Sequence, residues 1–226
     1  MPTLLLRLAA PLQSWGVESK FDVRRTLGYP TKSGVVGLIA SAMGRSRYDS
    51  VDDLNQLKFG IRIDREGELV RDFHTASDND KNKYITNRFY LSDAIFLVGL
   101  ESDNEQLLTD IERALSNPAY PLFLGRRSCP PTLPIVQGLR GADLISALKK
   151  EEWLLEEWRR RKILNPSEYK LRIIADSSDG APVRDLAVSF SPIHRRFAFR
   201  RVSDCGYVDM QEEAASAQHD PMTELR

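Results

Sequence analysis

The stretch "YPTKSGVVGLIASAMG" at residues 29–44 places a lysine and a serine directly before an apolar, helix-forming run. A Walker loop would need glycines six residues and one residue before Lys32, so that bare backbone amides can curl around a phosphate. Both positions, Thr26 and Thr31, are threonine, which argues against a mononucleotide site. A helix start capped by Thr31 or Ser33 would still present free amides beside Lys32 and could hold any phosphate. The alternative is a capped core helix with a surface lysine.

Paired arginines recur in predicted loops, next to glycine, proline or aromatic residues. The formal net charge is zero, with 32 basic and 32 acidic residues, but residues 209–226 carry five acids and one base, so the rest of the chain is basic. Local patches, rather than net charge, decide phosphate binding. The pairs are Arg24 with Arg25, Arg45 with Arg47, Arg126 with Arg127, Arg195 with Arg196, and Arg200 with Arg201. A further cluster in "EEWLLEEWRRRK" is typical of a solvated helix with i to i+4 ion pairs.

A polar interval at residues 74–89, "HTASDNDKNKYITNRF", has neither a helical nor a strand period. Loops of this length in small domains are usually functional or disordered. Cations beside aromatic rings suit a phosphate backbone with splayed bases, and this interval holds Lys81, Lys83 and Arg88 around Tyr84 and Phe89. The alternative is a solvated, flexible loop.

Composition excludes several classes of protein. A chain of 226 residues with 42% hydrophobic content suits one elaborated domain or two small domains packed together. No apolar run reaches the roughly 20 residues of a transmembrane helix, and the first residues do not have the pattern of a signal peptide, so we expect a cytoplasmic protein without membrane contact. Cys129 and Cys205 stand far apart without a CxxC partner. We therefore expect free thiols, no metal and no cofactor.

The order of elements predicts an α+β fold. Strand patterns occur in "TLLLRLAA", "KFGIRIDREGELVRDFHT" and "AIFLVGLES", and helical patterns in "SGVVGLIASAM" and "NEQLLTDIERALSN". With "YPLFLG" as a last strand, these elements read as β-α-β-β-α-β, the ferredoxin-like order, over roughly the first 130 residues. A long helix in "GADLISALKKEEWLLEEWRRR" and additional C-terminal strands should follow.

Several ordered blocks resemble the CasD family, the RAMP-type subunit of the type I-E CRISPR surveillance complex, Cascade, that holds the 5′ end of the guide RNA. The blocks are "LLLRLAAPLQSWG", "YPTKSGVVGLIASAMG", "RDFHT", "YLSDAIFLVGL", "YPLFLGRRSCPP" and "FSPIHRRFAFRRV". The resemblance implies a ferredoxin-like, RRM-like domain over residues 1–208. A thumb hairpin would project at about residues 75–89, and residues 209–226 would form an acidic tail, which we expect to be disordered or loosely docked.

The resemblance also implies an RNA site. The segment after the first strand would border the 5′ handle of the crRNA, the "PTKSG" loop would hold the RNA backbone, and the "LGRRS" stretch would contact it. For Trp15, a core or interface position is as good an interpretation as base stacking. The implied RNA-binding residues are Gln13, Ser14, Trp15, Gly16, Arg24, Arg25, Thr31, Lys32, Ser33, His74, Lys81, Lys83, Arg88, Arg126, Arg127 and Ser128.

The implied function is a non-catalytic one: the subunit binds and caps the crRNA 5′ handle and helps assemble Cascade for antiviral DNA interference. Its implied partners are crRNA, the backbone subunit CasC and the large subunit CasA, with target DNA contacted indirectly. One alternative is a metal-independent endoribonuclease that processes pre-crRNA with groups such as His74, Lys81, Lys83 and Tyr84. Another is a structural adaptor with little RNA contact.

Overall fold

A six-stranded antiparallel sheet forms the centre of the molecule, in the strand order β10-β9-β4-β7-β1-β8. The computed structural model describes residues 1–16, 22–78, 82–160 and 169–209. The chain is therefore α+β, with strands and short helices in mixed order. The elements are β1 (Thr3–Ala9), β2 (Leu12–Gln13), β3 (Val23–Arg24), α1 (Lys32–Ala42), α2 (Asp52–Asn55), β4 (Lys58–Arg65), β5 (Glu68–Asp78), β6 (Asn82–Ser92), β7 (Ile95–Glu101), α3 (Glu105–Ser116), β8 (Val136–Arg140), α4 (Leu144–Lys150), α5 (Glu157–Arg160), β9 (Lys170–Ser189) and β10 (Arg196–Asp209).

Strand β1 is apolar on both faces because helices cover both sides of the sheet. Leu4 and Leu6 point into the larger core with residues of α1 and α3. Leu5 points the other way and packs against Leu144 and Leu148 of α4. This two-sided burial explains the continuous run "TLLLRLAA", since only a half-exposed strand shows strict alternation of polar and apolar residues.

A second, smaller sheet contains the described residues of the interval 74–89, which the sequence predicted to be an irregular loop. Strands β5 and β6 pair in continuous antiparallel register from Glu68 with Ser92 to Asp78 with Asn82. Short strands β2 and β3 pair with β6 on its other edge. The prediction of an irregular loop was wrong because both faces of this ribbon are largely exposed, so no buried side imposes an apolar alternation.

Two further predictions about elements were also wrong. The stretch "YPLFLG" is irregular, and the strand that pairs with the free edge of β1 is β8, further along the chain. The long helix predicted after Gly141 ends at Lys150, and Glu151 already has extended backbone with ψ 139°. The remaining helical piece in the described residues is the four-residue α5.

A fully buried arginine explains where α4 ends. Arg62 on β4 forms a bidentate ion pair with Asp64, with N–O distances of 2.7 and 2.8 Å. Its guanidinium also donates to the carbonyl oxygens of Leu148, Glu151 and Glu152. A continuing helix would use the first of these carbonyls internally. The backbone leaves the helical conformation here, and its carbonyl oxygens accept hydrogen bonds from the buried Arg62 guanidinium instead.

None of the helices in the described part of the chain has the length and apolarity that crossing a bilayer requires.

We expect Arg62→Leu to lower the free energy of unfolding by about 3–5 kcal/mol, because it leaves Asp64 buried without its partner. Urea denaturation followed by circular dichroism measures this loss. The matched control is Arg172→Leu, whose ion pair with Asp204 is more than two-fifths exposed on both sides and should contribute about 0–1 kcal/mol. Equal losses in the two variants would contradict a structural role for Arg62.

Candidate nucleic-acid interface

The start of α1 already holds an anion, and that anion belongs to the protein. Thr31 is the N-cap, and its hydroxyl oxygen accepts from the amide of Gly34. The amides of Lys32 and Ser33 donate to the two carboxylate oxygens of Asp185, at 2.7 and 3.0 Å. The Ser33 hydroxyl donates to the same carboxylate at 2.6 Å. The positive end of the helix is thus neutralised from within.

Two basic side chains complete this buried network. The Lys32 ammonium lies 2.9 Å from Asp176, and its side chain is 7% exposed. Arg200 bridges Asp176 and Asp185, at 2.6 and 2.8 Å, with a side chain that is 8% exposed. The positive charges of Lys32 and Arg200 therefore balance the two carboxylates. The positive end of the α1 dipole stabilises the carboxylate of Asp185 further.

This network corrects the prediction for the "PTKSG" loop. Thr31, Lys32 and Ser33 are buried, and their polar groups cap the helix or bind carboxylates of β9. A phosphate at this position would have to displace Asp185. The loop attaches the β9–β10 hairpin to α1 and is not an open phosphate site.

The segment after β1 is also mostly internal. Gln13 is fully buried, and its side-chain amide donates to the carbonyl of Ala94 and accepts from the Trp15 indole. Trp15 is 1% exposed and belongs to the core, so the core alternative describes it and the stacking alternative does not. Ser14 donates to the carbonyl of Phe89. The Ser14 side chain thus contacts β6 directly, Gln13 contacts the residue before β7, and Gly16 is exposed.

The predicted arginines, by contrast, converge from three separate segments. In the parallel pairing of β3 with β6, Arg24 lies beside Arg88, so both side chains are on the same face of the small sheet. Arg126, from the loop after α3, donates to the carbonyl of Arg24 at 2.8 Å. Its guanidinium carbon lies 4.5 Å from the ring centroid of Tyr90, two residues beyond Arg88 on the same face. We call Arg24, Arg88 and Arg126, with their exposed neighbours Arg25 and Arg127, the arginine face.

The arginine face contains donors without partners. Arg88 Nε and Arg126 Nη1 are buried and have no hydrogen-bond partner among the described residues. Burial of a donor without an acceptor is unfavourable, so such groups point to a missing acceptor. Burial opposes ionisation of Tyr90, but hydrogen bonding by Arg126 and Ser128 and the charge of Arg126 outweigh it, so the pKa of Tyr90 is lowered. The lowered pKa reflects the concentrated positive charge.

A glycine brings the "LGRRS" loop against the small sheet. Gly125 has φ +84°, and a Cβ there would lie 1.6 Å from the Ser14 carbonyl oxygen. The amide of Ser14 donates to the carbonyl of Leu124 at 3.2 Å. Arg127 and Ser128, which follow this close approach, are exposed residues. Only glycine can adopt the positive φ at position 125 and also fit against the Ser14 carbonyl.

The residues considered for catalysis lie on both faces of the β5–β6 ribbon. His74 pairs in register with Thr86, and Lys83 with Ser77. These two pairs are separated by an odd number of residues along each strand, so His74 and Lys83 are on opposite faces. His74 Nε2 contacts the carboxylate of Asp72. Tyr84 is exposed, and Lys81 lies outside the described residues.

Sequence reasoning missed the residues that complete these two sites. Asp176, Asp185 and Arg200 lie more than 140 residues along the chain from Lys32, and nothing local marks them as its partners. Tyr90 stands in the quoted block "YLSDAIFLVGL", but its pairing with Arg126 depends on tertiary structure.

Comparison with known proteins places these features in a family. The family model described as "CRISPR-associated protein (Cas_Cas5)" matches residues 3–203. The chain belongs to the Cas_Cas5 family. A relative from Escherichia coli (strain K12), named CRISPR system Cascade subunit CasD, is 34% identical over 159 residues, which is 60% of this chain and 70% of the relative.

Two solved structures resemble this Cas_Cas5 protein over nearly its full length. A crystal structure of a Cas protein is 42% identical, with a TM-score of 0.71, and the match covers 92% of this chain and 95% of the other. A chain of a CRISPR RNA-guided surveillance complex is 31% identical, with a TM-score of 0.76, and the match covers 92% and 91%. The mixed α+β architecture is therefore shared with other Cas proteins.

For this Cas_Cas5 protein, Lys32→Ala should affect stability far more than RNA binding. Removing the ammonium leaves Asp176 with one basic partner, which should cost about 2–4 kcal/mol of unfolding free energy. The dissociation constant for handle RNA should change less than about twofold, since the buried Lys32 contributes no phosphate contact. Urea denaturation and fluorescence anisotropy measure the two quantities. The exposed Arg127→Ala should show the reverse pattern, and a large loss of RNA affinity in Lys32→Ala alone would restore the phosphate-loop interpretation.

Gly125→Ala should displace the Arg126–Arg127 loop and weaken handle RNA binding by about tenfold, because positioning as well as charge decides phosphate contacts. Gly206→Ala is the matched control. Gly206 also has positive φ, +86°, but a Cβ there would meet no atom within 4 Å. Both variants share a cost of about 1–3 kcal/mol for backbone strain, so a difference in RNA affinity isolates the displaced loop. The same affinity in both variants would contradict it.

Proposed function

We propose that this Cas_Cas5 protein is a non-catalytic subunit of a type I-E Cascade complex that binds and caps the 5′ handle of crRNA. By holding that RNA end it helps assemble the complex for antiviral DNA interference. The proposal is supported by the relative named as Cascade subunit CasD and by the similar chain from an RNA-guided surveillance complex.

The observation that carries the proposal is the arginine face. Three segments that are far apart in sequence bring Arg24, Arg88 and Arg126 together around Tyr90. Two of these guanidinium groups keep a buried N–H without an acceptor among the described residues. Phosphate oxygens are suitable acceptors for the accessible N–H groups of these arginines, and arginine binds them with charge-assisted, often bidentate hydrogen bonds. A single-stranded RNA end presents its phosphates and base edges together.

The scaffold for this function is inferred to be ferredoxin-like. Strands and helices follow one another as β1, α1, β4, β7, α3 and β8, and the four strands lie in the order β4-β7-β1-β8 within the larger sheet. That order is consistent with a β-α-β-β-α-β unit. Strands β9 and β10 extend it next to β4 as the additional C-terminal strands.

The β5–β6 hairpin is the candidate thumb, at about residues 75–89, and residues 1–208 form the proposed RAMP domain with residues 209–226 as its tail. The hairpin exposes Phe73, Tyr84 and Ile85 by more than half. Tyr84 and Arg88 are four residues apart on β6 and therefore share a face, so the exposed Tyr84 ring can contact the guide where it leaves the handle. The proposed neighbours are the backbone subunit CasC and the large subunit CasA, and target DNA is reached through the complex.

The endoribonuclease alternative has weaker support. His74 and Lys83 are on opposite faces of the β5–β6 ribbon, so they cannot act on one phosphate in this conformation. Incubation of the purified protein with repeat RNA in EDTA discriminates the two functions. Binding without cleavage supports the cap, and cleavage would support the enzyme.

Arg24→Ala combined with Arg127→Ala tests the cap directly. Both side chains are exposed and contribute little packing, so the thermal midpoint should stay within a few degrees while affinity for handle RNA falls by about tenfold or more. The slope of log K against log salt should fall by about 1.4, since each phosphate contact to a single strand contributes about 0.7. Fluorescence anisotropy at several salt concentrations measures both changes.

The matched control removes two other exposed arginines, Arg47 and Arg113. Arg113 has a side chain that is 70% exposed on α3. Arg159 and Arg160, which the sequence predicted to be solvated, are less suitable because Arg160 donates to the carbonyl of Leu155. Equal losses of RNA affinity in the test and control variants would show that affinity depends on overall charge, and would contradict a specific role for the arginine face.

A further inference from the structure

The distal half of the β9–β10 hairpin carries a second basic surface that handle binding does not use. Between Gly180 and Val202, within the described residues, the chain has five arginines and one acid, Asp185. Asp185 is 1% exposed and is neutralised by Arg200 and the start of α1. The four remaining arginines of this stretch therefore have no compensating acid within it: they are Arg184, Arg195, Arg196 and Arg201.

A bulge separates the inner and outer faces of this hairpin. Ala198 pairs with Leu186, but Phe199 pairs with Arg184, so Asp185 is the extra residue between them. Arg200 points inward to Asp185 and Asp176. Its neighbours on β10 therefore point outward: Phe199 lies opposite Arg184, and Arg201 lies opposite Pro182. Phe199 is 66% exposed.

The outward side chains are held loosely and keep most of their donors. Arg184 Nε donates to the carbonyl of Phe197 at 3.4 Å, and Arg201 Nη1 donates to the carbonyl of Gly180 at 3.3 Å. No acidic side chain of the described residues pairs with either arginine. Each guanidinium has five N–H groups, so most remain available to a ligand.

The backbone beneath these side chains is fixed. A Cβ on Gly180 would lie 2.3 Å from the backbone of Val202, so the two strands approach closely at the base of the distal half. Toward the tip, Phe190 packs 3.4 Å from where a Cβ of Gly37 on α1 would be. Asp185 at the start of α1 and Phe190 against Gly37 attach the hairpin to the body at two points, so it presents a preorganised surface.

We propose that this outer hairpin face, formed by Arg184, Phe199 and Arg201 with Arg195 and Arg196 at the tip, binds single-stranded nucleic acid. The arginines contact phosphates, and an unpaired base stacks on Phe199. A duplex would present phosphates but no free base face for an exposed phenylalanine. The inference rests on the charge and exposure of the β9–β10 hairpin, on strands that are not part of the arginine face, and it does not depend on handle binding.

The test measures binding of a fluorescein-labelled 15-nucleotide oligothymidylate to the full chain by anisotropy. All proteins carry Arg24→Ala with Arg127→Ala, so that the arginine face contributes little. Adding Arg184→Ala with Arg201→Ala should lower affinity by about tenfold and reduce the salt slope by about 1.4. Adding Phe199→Ala instead should lower affinity by about tenfold without changing the salt slope. Adding Arg47→Ala with Arg113→Ala should change the affinity little.

Unchanged affinity in both hairpin variants would overturn the proposal. A polyglutamate peptide of similar length is the second probe. If it displaced the oligothymidylate at equal concentration while Phe199→Ala bound normally, the face would be assigned to an acidic protein and the proposal would be wrong. Circular dichroism melting of each variant confirms that the proteins compared are folded, which these exposed positions should permit.

Discussion

The binding of the Asp185 carboxylate by the backbone amides at the start of α1 is the interaction on which the rest of the structure depends. A buried carboxylate is tolerated only when charges and donors surround it, and here two helix amides, a serine hydroxyl and Arg200 do so. The contact joins β9 to the first helix, although Asp185 and Ser33 are 152 residues apart in sequence. It also occupies the anion site that the helix start would otherwise offer to a ligand.

The arginine face is the RNA site that we propose instead, and its geometry depends on buried side chains in the same way. Gln13 pairs with Leu91 of β6, and the buried Trp15 donates to the Gln13 side chain from within the core. Gly125 allows the Arg126 loop to approach Ser14. Several residues that the resemblance connected with RNA thus act one layer below the surface, as supports for residues that reach it. Charge-assisted hydrogen bonds to phosphate then need only the exposed arginines.

The sequence predicted the α+β class and the helices α1 and α3, because each depends on local pattern. Prediction from the sequence failed where contacts between distant residues determine the local structure. The β5–β6 hairpin has no apolar alternation since both of its faces are largely exposed, and the predicted long helix ends at Lys150 because Arg62 captures the carbonyl groups that follow. Lys32 was predicted to meet an external phosphate because no local feature indicates that Asp176 and Asp185 are its partners. The tail from residue 210 onward lies outside the described residues.

The most direct measurement is mass spectrometry of peptides cross-linked by ultraviolet light to a short crRNA handle bound to the full chain. Our account predicts cross-linked residues within 22–28, 84–90 and 124–128, the three segments that form or flank the arginine face. Residues 29–36, at the start of α1, should remain unmodified because Asp185 fills that position. Cross-links concentrated at residues 29–36, with none in the three arginine segments, would contradict the account.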